Sequence, residues 1–238
     1  MSKPIAVVTG ATGGMGVEIV RELSQDHTVY ALGRNEAVLA DLGKLDNVHA
    51  LGTDVVADLL DGGGVEKLGS LLDLGRVDVL VHAAAIAQPF TVESSTVEDW
   101  RAHLDLNVVV PGELSRRLLP QLRAAQGLVI FINSGAGSGA FPGNVIYAAS
   151  KHALRALADA FRKEEANGGV RVSTISPGPT DTAMLRGLND STDEEYNPEL
   201  YIDPVEVARA IRFVVRAGSS TQITNVDVRP RVELADRE

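Results

Sequence analysis

The fold of this chain is decided by one stretch, Ile5-Ala-Val-Val-Thr-Gly-Ala-Thr-Gly-Gly-Met-Gly16. Its apolar, β-branched first half predicts a buried strand, and the helical period that starts at residue 14 predicts a helix directly after the glycines. Glycine lets a ligand approach the backbone, and the free N–H groups and dipole of a helix N-terminus favour a phosphate. The turn is therefore predicted to bind the pyrophosphate of a dinucleotide through Gly10, Thr12, Gly13, Gly14, Met15 and Gly16. The alternative is a tight turn that needs glycine for its own geometry.

The same alternation of strand and helix continues along the chain. Short β-branched runs predict strands at 5–8, 28–31, 48–51, 77–81, 128–132, 170–175 and 223–228. Helical periods cover 14–25, 35–42, 64–73, 96–122, 146–166 and 204–217. Continuously apolar strands suit a parallel sheet that is buried on both faces. We therefore expect one α/β domain over residues 1–238, a doubly wound (Rossmann) seven-stranded parallel sheet flanked by helices on both faces.

Composition narrows the classes of partner. The 238 residues carry a formal net charge of −10 and no basic stripe, which argues against nucleic acid or an anionic membrane surface as the main partner. The chain has no cysteine, so disulfides and thiolate metal sites are excluded, and no cluster of metal ligands is evident. No segment has the length of a signal peptide core or a membrane span. We expect a soluble, cytoplasmic protein without a metal.

Two residues beyond the glycine turn bear on the choice of dinucleotide. Arg34 follows the second predicted strand, where an NAD site wants a carboxylate and an arginine can pair with the 2′-phosphate of NADP. NADP(H) is therefore favoured over NAD(H), with an ordinary surface arginine as the alternative. Asp54, after the third strand, could accept a hydrogen bond from adenine or could cap the following turn.

A helix-spaced tyrosine and lysine form the candidate catalytic pair. Tyr147 and Lys151 are four residues apart in Tyr-Ala-Ala-Ser-Lys, so they lie on one face of the predicted helix. A neighbouring cation is expected to lower the pKa of the phenol from about 10, which suits it to acid–base chemistry. The spacing could also be accidental. Ser134, upstream, lies in a glycine-rich segment where serine is a natural turn residue.

Taken in order, these residues resemble the short-chain dehydrogenase/reductase family. The glycine turn is similar to the family's TGxxxGxG, and Ser134, Tyr147 and Lys151 are similar to its catalytic trio. The resemblance runs from Thr9 to Met184. It also includes Asp54-Val55, Asn107 in Leu-Asp-Leu-Asn107, and Pro177-Gly-Pro-Thr-Asp-Thr-Ala-Met184.

The resemblance implies hydride transfer between a nicotinamide and a carbonyl or alcohol. Tyr147 would be the general acid or base, and Ser134 would hydrogen-bond the substrate oxygen. Lys151 would lower the pKa of Tyr147 and hold the nicotinamide ribose, and Asn107 would hold a water that passes protons toward Lys151. Further cofactor contacts are implied for Asp54, Val55, Ala83, Ala84, Ala85, Asn107, Tyr147, Lys151, Pro177, Gly178, Thr180 and Thr182.

The chain departs from the family after its fourth strand. The family usually shows Asn-Asn-Ala-Gly, and this chain reads His82-Ala83-Ala84-Ala85. His82 could replace a hydrogen bond of the missing asparagine or simply pack beneath the cofactor. Cofactor binding is expected to survive because the ribose contacts there are largely made by the backbone.

The substrate walls are expected to be small or apolar, with no arginine or lysine directed at them. A neutral, small carbonyl or alcohol is therefore predicted as the substrate, and acidic carriers are disfavoured by the chain's negative charge. The residues that carry this prediction are Gln88, Ala136, Phe141, Asn144 and Met184. Residues 182–203 form a candidate substrate flap, although their acidic part, 186–203, could equally be a solvated surface loop.

The resemblance also predicts how the chain assembles, and two alternative functions remain open. By the same resemblance, a homodimer or homotetramer would form through helices around 96–122 and 146–166. A regulatory protein that binds NADP without turnover would be marked by a lost tyrosine or lysine, and both are present. A sugar-nucleotide epimerase would show a different glycine spacing and a larger C-terminal region.

Overall fold

A single seven-stranded parallel sheet forms the centre of the protein, in the order β3-β2-β1-β4-β5-β6-β7. The structure is a computed structural model that describes residues 2–60, 65–189 and 196–233. Numbered along the chain, the strands are β1 (Ile5–Thr9), β2 (Thr28–Gly33), β3 (Val48–Gly52), β4 (Val79–His82), β5 (Leu128–Ile132), β6 (Arg171–Pro177) and β7 (Asn225–Val228). The predicted doubly wound fold is confirmed.

Helices cover both faces of the sheet. They are α1 (Gly14–Leu23), α2 (Glu36–Leu42), α3 (Val55–Leu60), α4 (Val65–Leu72), α5 (Val97–Leu104), α6 (Val110–Ala125), α7 (Val145–Glu164), α8 (Ala183–Asn189) and α9 (Pro204–Val215). Side chains of α1 and α9 pack with one face of the sheet in a first apolar cluster. Side chains of α6 and α7 pack with the other face in a second cluster. Burial on both sides explains why the strands read as continuously apolar.

The order of the strands fixes where a ligand can bind. β1 lies between β2 and β4. The chain adds β2 and β3 on one side of β1 and then returns to add β4 to β7 on the other side, so the strand order reverses at β1. A crevice opens at such a switch point, outside the carboxyl ends of the strands. Thr9 and His82 pair at the ends of β1 and β4, so the turns after both strands face this crevice.

The long helix expected over 96–122 is interrupted. A π-helical turn, Asp105–Val109, separates α5 from α6, and the N–H of Val110 donates to the carbonyl of Asp105. Pro111 has no N–H to donate four residues back, so a regular ladder cannot pass through this point. The π turn buries the Asn107 side chain to 1% exposure. A helical period in sequence could not reveal this change of register.

Two helices also lie where none was expected. α3 follows Asp54, and α8 occupies the start of the candidate flap. The flap continues in a 3-10 turn, Pro198–Leu200, while its residues 190–195 lie outside the described part of the chain. Both helices have only six or seven residues, too few to display a clear helical period.

Candidate active site

A first cavity, of about 260 Å³, lies over the glycine turn. α1 begins there without a side-chain cap, whereas Asn35 caps α2 by accepting from the N–H of Val38. The first N–H groups of an uncapped helix are free to bind an anion. The predicted cofactor residues that line this cavity are Gly10, Thr12, Gly13, Gly14, Met15, Gly16, Arg34, Asp54, Val55, Ala83, Ala84, Ala85 and Thr182.

Two of the glycines are required by the turn itself. Gly10 has φ +65°, and a Cβ there would lie 2.6 Å from the backbone nitrogen of Ala84. A Cβ at Gly16 would overlap the carbonyl of Gly10. Gly13 is different, because its Cβ would meet its nearest atom only at 3.4 Å. Gly13 is exposed at the cavity, so a ligand can reach its backbone.

Arg34 and Asp54 mark one end of the first cavity. Arg34 Nη1 lies 3.8 Å from Asp54 Oδ2, and the Arg34 side chain is 72% exposed. Asp54 Oδ1 accepts from the N–H groups of Val56 at 3.1 Å and Ala57 at 3.4 Å, so the capping alternative for Asp54 is confirmed. The guanidinium is weakly held and is available to an anion at this end.

The departure from the family pattern at His82 is accommodated inside the protein. His82 is 2% exposed, its Nε2 lies 2.9 Å from Ser115 Oγ, and its ring stacks on Phe131 at 4.9 Å. Burial lowers the pKa of His82 to about 3, so the ring is neutral. His82 thus forms a side-chain hydrogen bond inside the protein and lines neither the cavity over the glycine turn nor the one at Ser134.

The alanines after His82 are held by the end of β1. Thr9 Oγ1 accepts from the N–H groups of Ala83 at 3.2 Å and Ala84 at 3.3 Å. These bonds keep the backbone of this turn against the glycine turn, where Ala83, Ala84 and Ala85 line the cavity.

Ser134 and Tyr147 meet in the wall of a second, larger cavity of about 730 Å³. Both residues line this cavity, and Ser134 Oγ accepts from the N–H of Ala136 at 3.2 Å. Ser134 follows β5 and Tyr147 lies in the first turn of α7. Two segments thirteen residues apart thus present a pair of hydroxyls to one cavity.

Lys151 lies behind Tyr147 rather than in a cavity wall. Its side chain is buried, and its Nζ lies 5.6 Å from the centre of the Tyr147 ring. Nζ donates to the carbonyl of Ile132 at 2.9 Å. Burial lowers the pKa of Lys151 to about 8, so the amine stays largely protonated at neutral pH.

The sequence predicted a lowered pKa for Tyr147, and this prediction is wrong for the protein by itself. Burial raises the pKa of Tyr147, and the interaction with the Ser134 side chain opposes that rise only in part. The ammonium of Lys151 points to a carbonyl instead of the phenol oxygen. The hydroxyl of Tyr147 therefore keeps its proton at neutral pH.

Asn107 connects three parts of the site from behind. Its Oδ1 accepts from the N–H of Ile86 at 3.0 Å, and its Nδ2 donates to the carbonyl of Ile86 and to Ser150 Oγ, each at 3.0 Å. Ser150 in turn donates to the carbonyl of Tyr147 at 2.8 Å. Both N–H bonds of the amide are thus used by the protein, so a water could only donate to Oδ1. The Asn107 side chain therefore has a structural role, because it joins the backbone at Ile86 to Ser150 in α7.

Most of the predicted substrate residues line the second cavity. Ala136, Phe141, Asn144 and Met184 do so, together with the predicted catalytic residue Ser134 and the predicted cofactor residues Tyr147, Pro177, Gly178, Thr180 and Thr182. Gln88 does not; it is exposed, its N–H donates to His103 Nε2 at 3.3 Å, and its neighbour Ala87 reaches the cavity instead. The wall contains further apolar side chains from Met15, Leu185 and Leu188.

Three charged residues in this wall were missed. Asp227, Arg229 and Glu233 line the second cavity, so the expectation that no cation faces the substrate is wrong. Arg229 directly follows β7. Since parallel strands end at one edge of the sheet, the position of Arg229 after the last predicted strand was the signal that could have located it.

The two cavities adjoin each other and are together called the cleft. Both are lined by Met15, Thr182 and Met184, and the Thr182 methyl lies 2.9 Å from where a Cβ on Gly14 would be. The cleft suits an extended dinucleotide. The uncapped N-terminus of α1 would bind its phosphates, with Arg34 at one end of the cleft and the hydroxyls of Ser134 and Tyr147 at the other.

The ranges 2–60, 65–189 and 196–233 contain no cluster of three or more side chains suited to a metal ion. They likewise contain no helix with the length and apolarity that crossing a membrane demands.

Known proteins resemble this chain over nearly its whole length. The family described as short chain dehydrogenase matches residues 4–193. An uncharacterized oxidoreductase of Staphylococcus saprophyticus is 31% identical over 235 residues, which cover 95% of this chain and 97% of the relative. A candidate short-chain dehydrogenase/reductase from Corynebacterium glutamicum has a crystal structure with 57% identity and a TM-score of 0.75, covering 95% of this chain and 100% of its own. The closed form of serine dehydrogenase complexed with NADP+ is 27% identical with a TM-score of 0.81, covering 94% of each chain.

Proposed function

The chain belongs to the short-chain dehydrogenase family of oxidoreductases, and from that premise we propose that it interconverts a small carbonyl compound and the corresponding alcohol with NADP(H). One observation carries the proposal. Ser134 and Tyr147 line a cavity that adjoins the one over the glycine turn. A substrate oxygen that reaches both hydroxyls would therefore lie beside a dinucleotide bound along the cleft.

In this proposal the side chains of the protein transfer the proton and orient the substrate. A nicotinamide bound in the cleft would supply the hydride for the carbonyl carbon in reduction and would take a hydride from the alcohol carbon in oxidation. Tyr147 gives its hydroxyl proton to the substrate oxygen in reduction and takes a proton from that oxygen in oxidation. Ser134 donates a hydrogen bond to the same oxygen and stabilises its developing charge.

The electrostatics of the site favour the direction of reduction. A raised pKa keeps Tyr147 protonated, which suits a group that must donate a proton. Lys151, largely protonated behind it, places positive charge where a phenolate would form after donation. Lys151 would also hold the ribose hydroxyls. We also propose that Asn107 holds a water that passes protons toward Lys151. This water would donate a hydrogen bond to the remaining lone pair of Asn107 Oδ1.

Arg34 supports NADP(H) over NAD(H). Its exposed guanidinium, at one end of the glycine-turn cavity, would pair with a 2′-phosphate. Asp54 would draw that guanidinium toward the adenine end, since the two side chains lie 3.8 Å apart. One structural relative was solved with NADP+ bound, which agrees with this choice.

Three broader expectations stay predictions: one domain over the whole chain, a cytoplasmic location, and a homodimer or homotetramer. Exposed apolar side chains support association through the helices named above. Val97 is 59% exposed and Val109 is 44% exposed, and both lie within the segment 96–122.

Turnover with a panel of ketones, aldehydes and quinones would test the function. NADPH oxidation should exceed NADH oxidation. Tyr147→Phe should reduce turnover about 10²- to 10⁴-fold and leave NADPH affinity nearly unchanged. Tyr30→Phe removes a hydroxyl from a residue of β2 that lines neither cavity, and it is the matched control. If Tyr147→Phe is as active as the parent, the chemistry lies elsewhere. Binding of NADPH without turnover of any compound would favour a regulatory protein.

A further inference from the structure

Arg229 brings a guanidinium into the substrate cavity beside the reactive serine. A Cβ built on Gly135 would lie 2.9 Å from Arg229 Nη1, and one built on Gly178 would lie 3.2 Å from the same atom. Gly135 follows Ser134, and Gly178 follows Pro177 at the end of β6. The guanidinium therefore lies in a slot between two glycines, and a side chain at either one would crowd it.

This slot is close to the reacting groups. Consecutive Cα atoms are about 3.8 Å apart, so the guanidinium against Gly135 lies within a small molecule's length of the Ser134 hydroxyl. A short substrate can reach both the serine and the arginine. The guanidinium is a fixed, permanent cation whose planar fork matches a carboxylate.

A carboxylate already occupies the fork. Arg229 Nε donates to Glu233 Oε1 at 2.7 Å, and Nη2 donates to Oε2 at 2.6 Å. The two side chains are 42% and 38% exposed, so water reaches the pair. Exposed pairs of this kind contribute little to stability, and exchange for another carboxylate costs correspondingly little. Glu233 thus shows the geometry in which Arg229 holds a carboxylate at the cavity wall.

We propose that Arg229 determines substrate specificity by binding the carboxylate of a short hydroxy acid or oxo acid, which replaces Glu233 on the guanidinium. The proposal rests on the proposed oxidoreductase function and names the substrate class of that site. Asp227 and Glu233 also line the cavity and would repel a second negative charge. The favoured substrate is therefore a monocarboxylate rather than a dicarboxylate.

The other side chains that line the second cavity suit a substrate whose two polar ends are joined by a short apolar carbon chain. Phe141 is 64% exposed and Met184 is 42% exposed, and both face the cavity together with Leu188. These side chains can cover the carbon atoms of the substrate while Ser134 and Arg229 bind its two ends.

The first experiment compares hydroxy acids of three to six carbons with their methyl esters, using NADP+ and measuring kcat/KM. The wild type should prefer at least one acid over its ester. Arg229→Gln should lower that acid-to-ester ratio roughly 10- to 100-fold, the range for losing hydrogen bonds to a charged group. Arg231→Gln removes the same charge two residues away at an exposed position and should keep the wild-type ratio. Glu233→Gln should lower KM for the acid, because the competing carboxylate loses its charge.

A second experiment separates recognition from chemistry. Calorimetry in the Tyr147→Phe background measures the Kd of the same acids, with and without Arg229→Gln, in the presence of NADP+. Tighter binding that depends on Arg229 supports the proposal even if Tyr147→Phe proves fully active and the proposed role of the tyrosine falls. Equal Kd values with glutamine at position 229, or acids bound no better than esters, would overturn the proposal and leave the oxidoreductase function intact.

Discussion

Protonation of His82 should make the stability of this protein depend on pH in a way that one substitution removes. His82 is 2% exposed, and burial lowers its pKa from 6.5 to about 3. The unfolded chain has the ordinary pKa, so below pH 6.5 it binds a proton that the folded protein does not. Protonation of His82 therefore has almost no effect on stability above pH 6.5, and stability is lost as the pH falls from 6.5 toward 3.

The size of the loss follows from the two pKa values. Each pH unit in this window removes about 1.4 kcal/mol from the free energy of unfolding. Between pH 7.5 and pH 5.5 the expected loss from His82 is about 1.4 kcal/mol, since only the last unit lies below 6.5. The sequence pI of about 5.0 sets the lower limit of the experiment, because a protein without net charge precipitates.

Urea unfolding at pH 7.5, 6.5 and 5.5 measures this loss. His82→Asn should be less stable by a constant amount from lost packing, and its free energy of unfolding should fall less steeply with acid, by about 1.4 kcal/mol over the range. His152→Asn changes an exposed histidine and should keep the wild-type slope. Parallel curves for the wild type and His82→Asn would refute the reasoning, because they would mean that His82 titrates normally in the folded protein.

Three other substitutions have expected outcomes. Arg34→Asp should shift the ratio of NADPH to NADH affinity at least about tenfold toward NADH, measured by fluorescence titration, and an unchanged ratio would remove the role of Arg34. Asn107→Ala removes three side-chain hydrogen bonds and should lower the free energy of unfolding by about 3 kcal/mol, which corresponds to a decrease in Tm of about 6–12 °C. The control Asn35→Ala removes a helix cap and should cost about 1 kcal/mol. Equal losses for the two variants in circular dichroism melts would contradict this expectation. Gly16→Ala should lower Tm more than Gly13→Ala, because only the former Cβ would overlap a backbone carbonyl.

The sequence was a good guide to the sheet because the signals for parallel strands are local. Runs such as Leu128–Ile132 are apolar at every position, and each is bounded by polar or glycine residues. The turn after β1 was equally readable, since its glycines and the following helical period are adjacent in sequence. Spacing also placed Tyr147 and Lys151 on one helix face correctly.

The charges and pKa values of the site could not be read in the same way. Spacing placed Lys151 beside Tyr147, but only the packing shows its Nζ bonded to the carbonyl of Ile132 on another element. The same packing partly buries Tyr147, and this burial raises the pKa of its hydroxyl. The direction of a pKa shift depends on the balance between burial and nearby charged groups. The spacing of residues in a sequence indicates which charged groups are nearby, but it does not indicate how deeply a side chain is buried.

The two halves of the cleft also differ in how they are assembled. The cofactor half takes its glycine turn, Arg34 and Asp54 from the first 55 residues, each directly after a strand. The substrate half joins Ser134 to Arg229, which lie 95 residues apart in sequence. Substitutions after β7 can therefore change the charge of the substrate half while the glycine turn keeps its contacts. We expect variants at Arg229 to change KM for the substrate and to leave the Kd of NADPH unchanged, which separates the two kinds of recognition within one cleft.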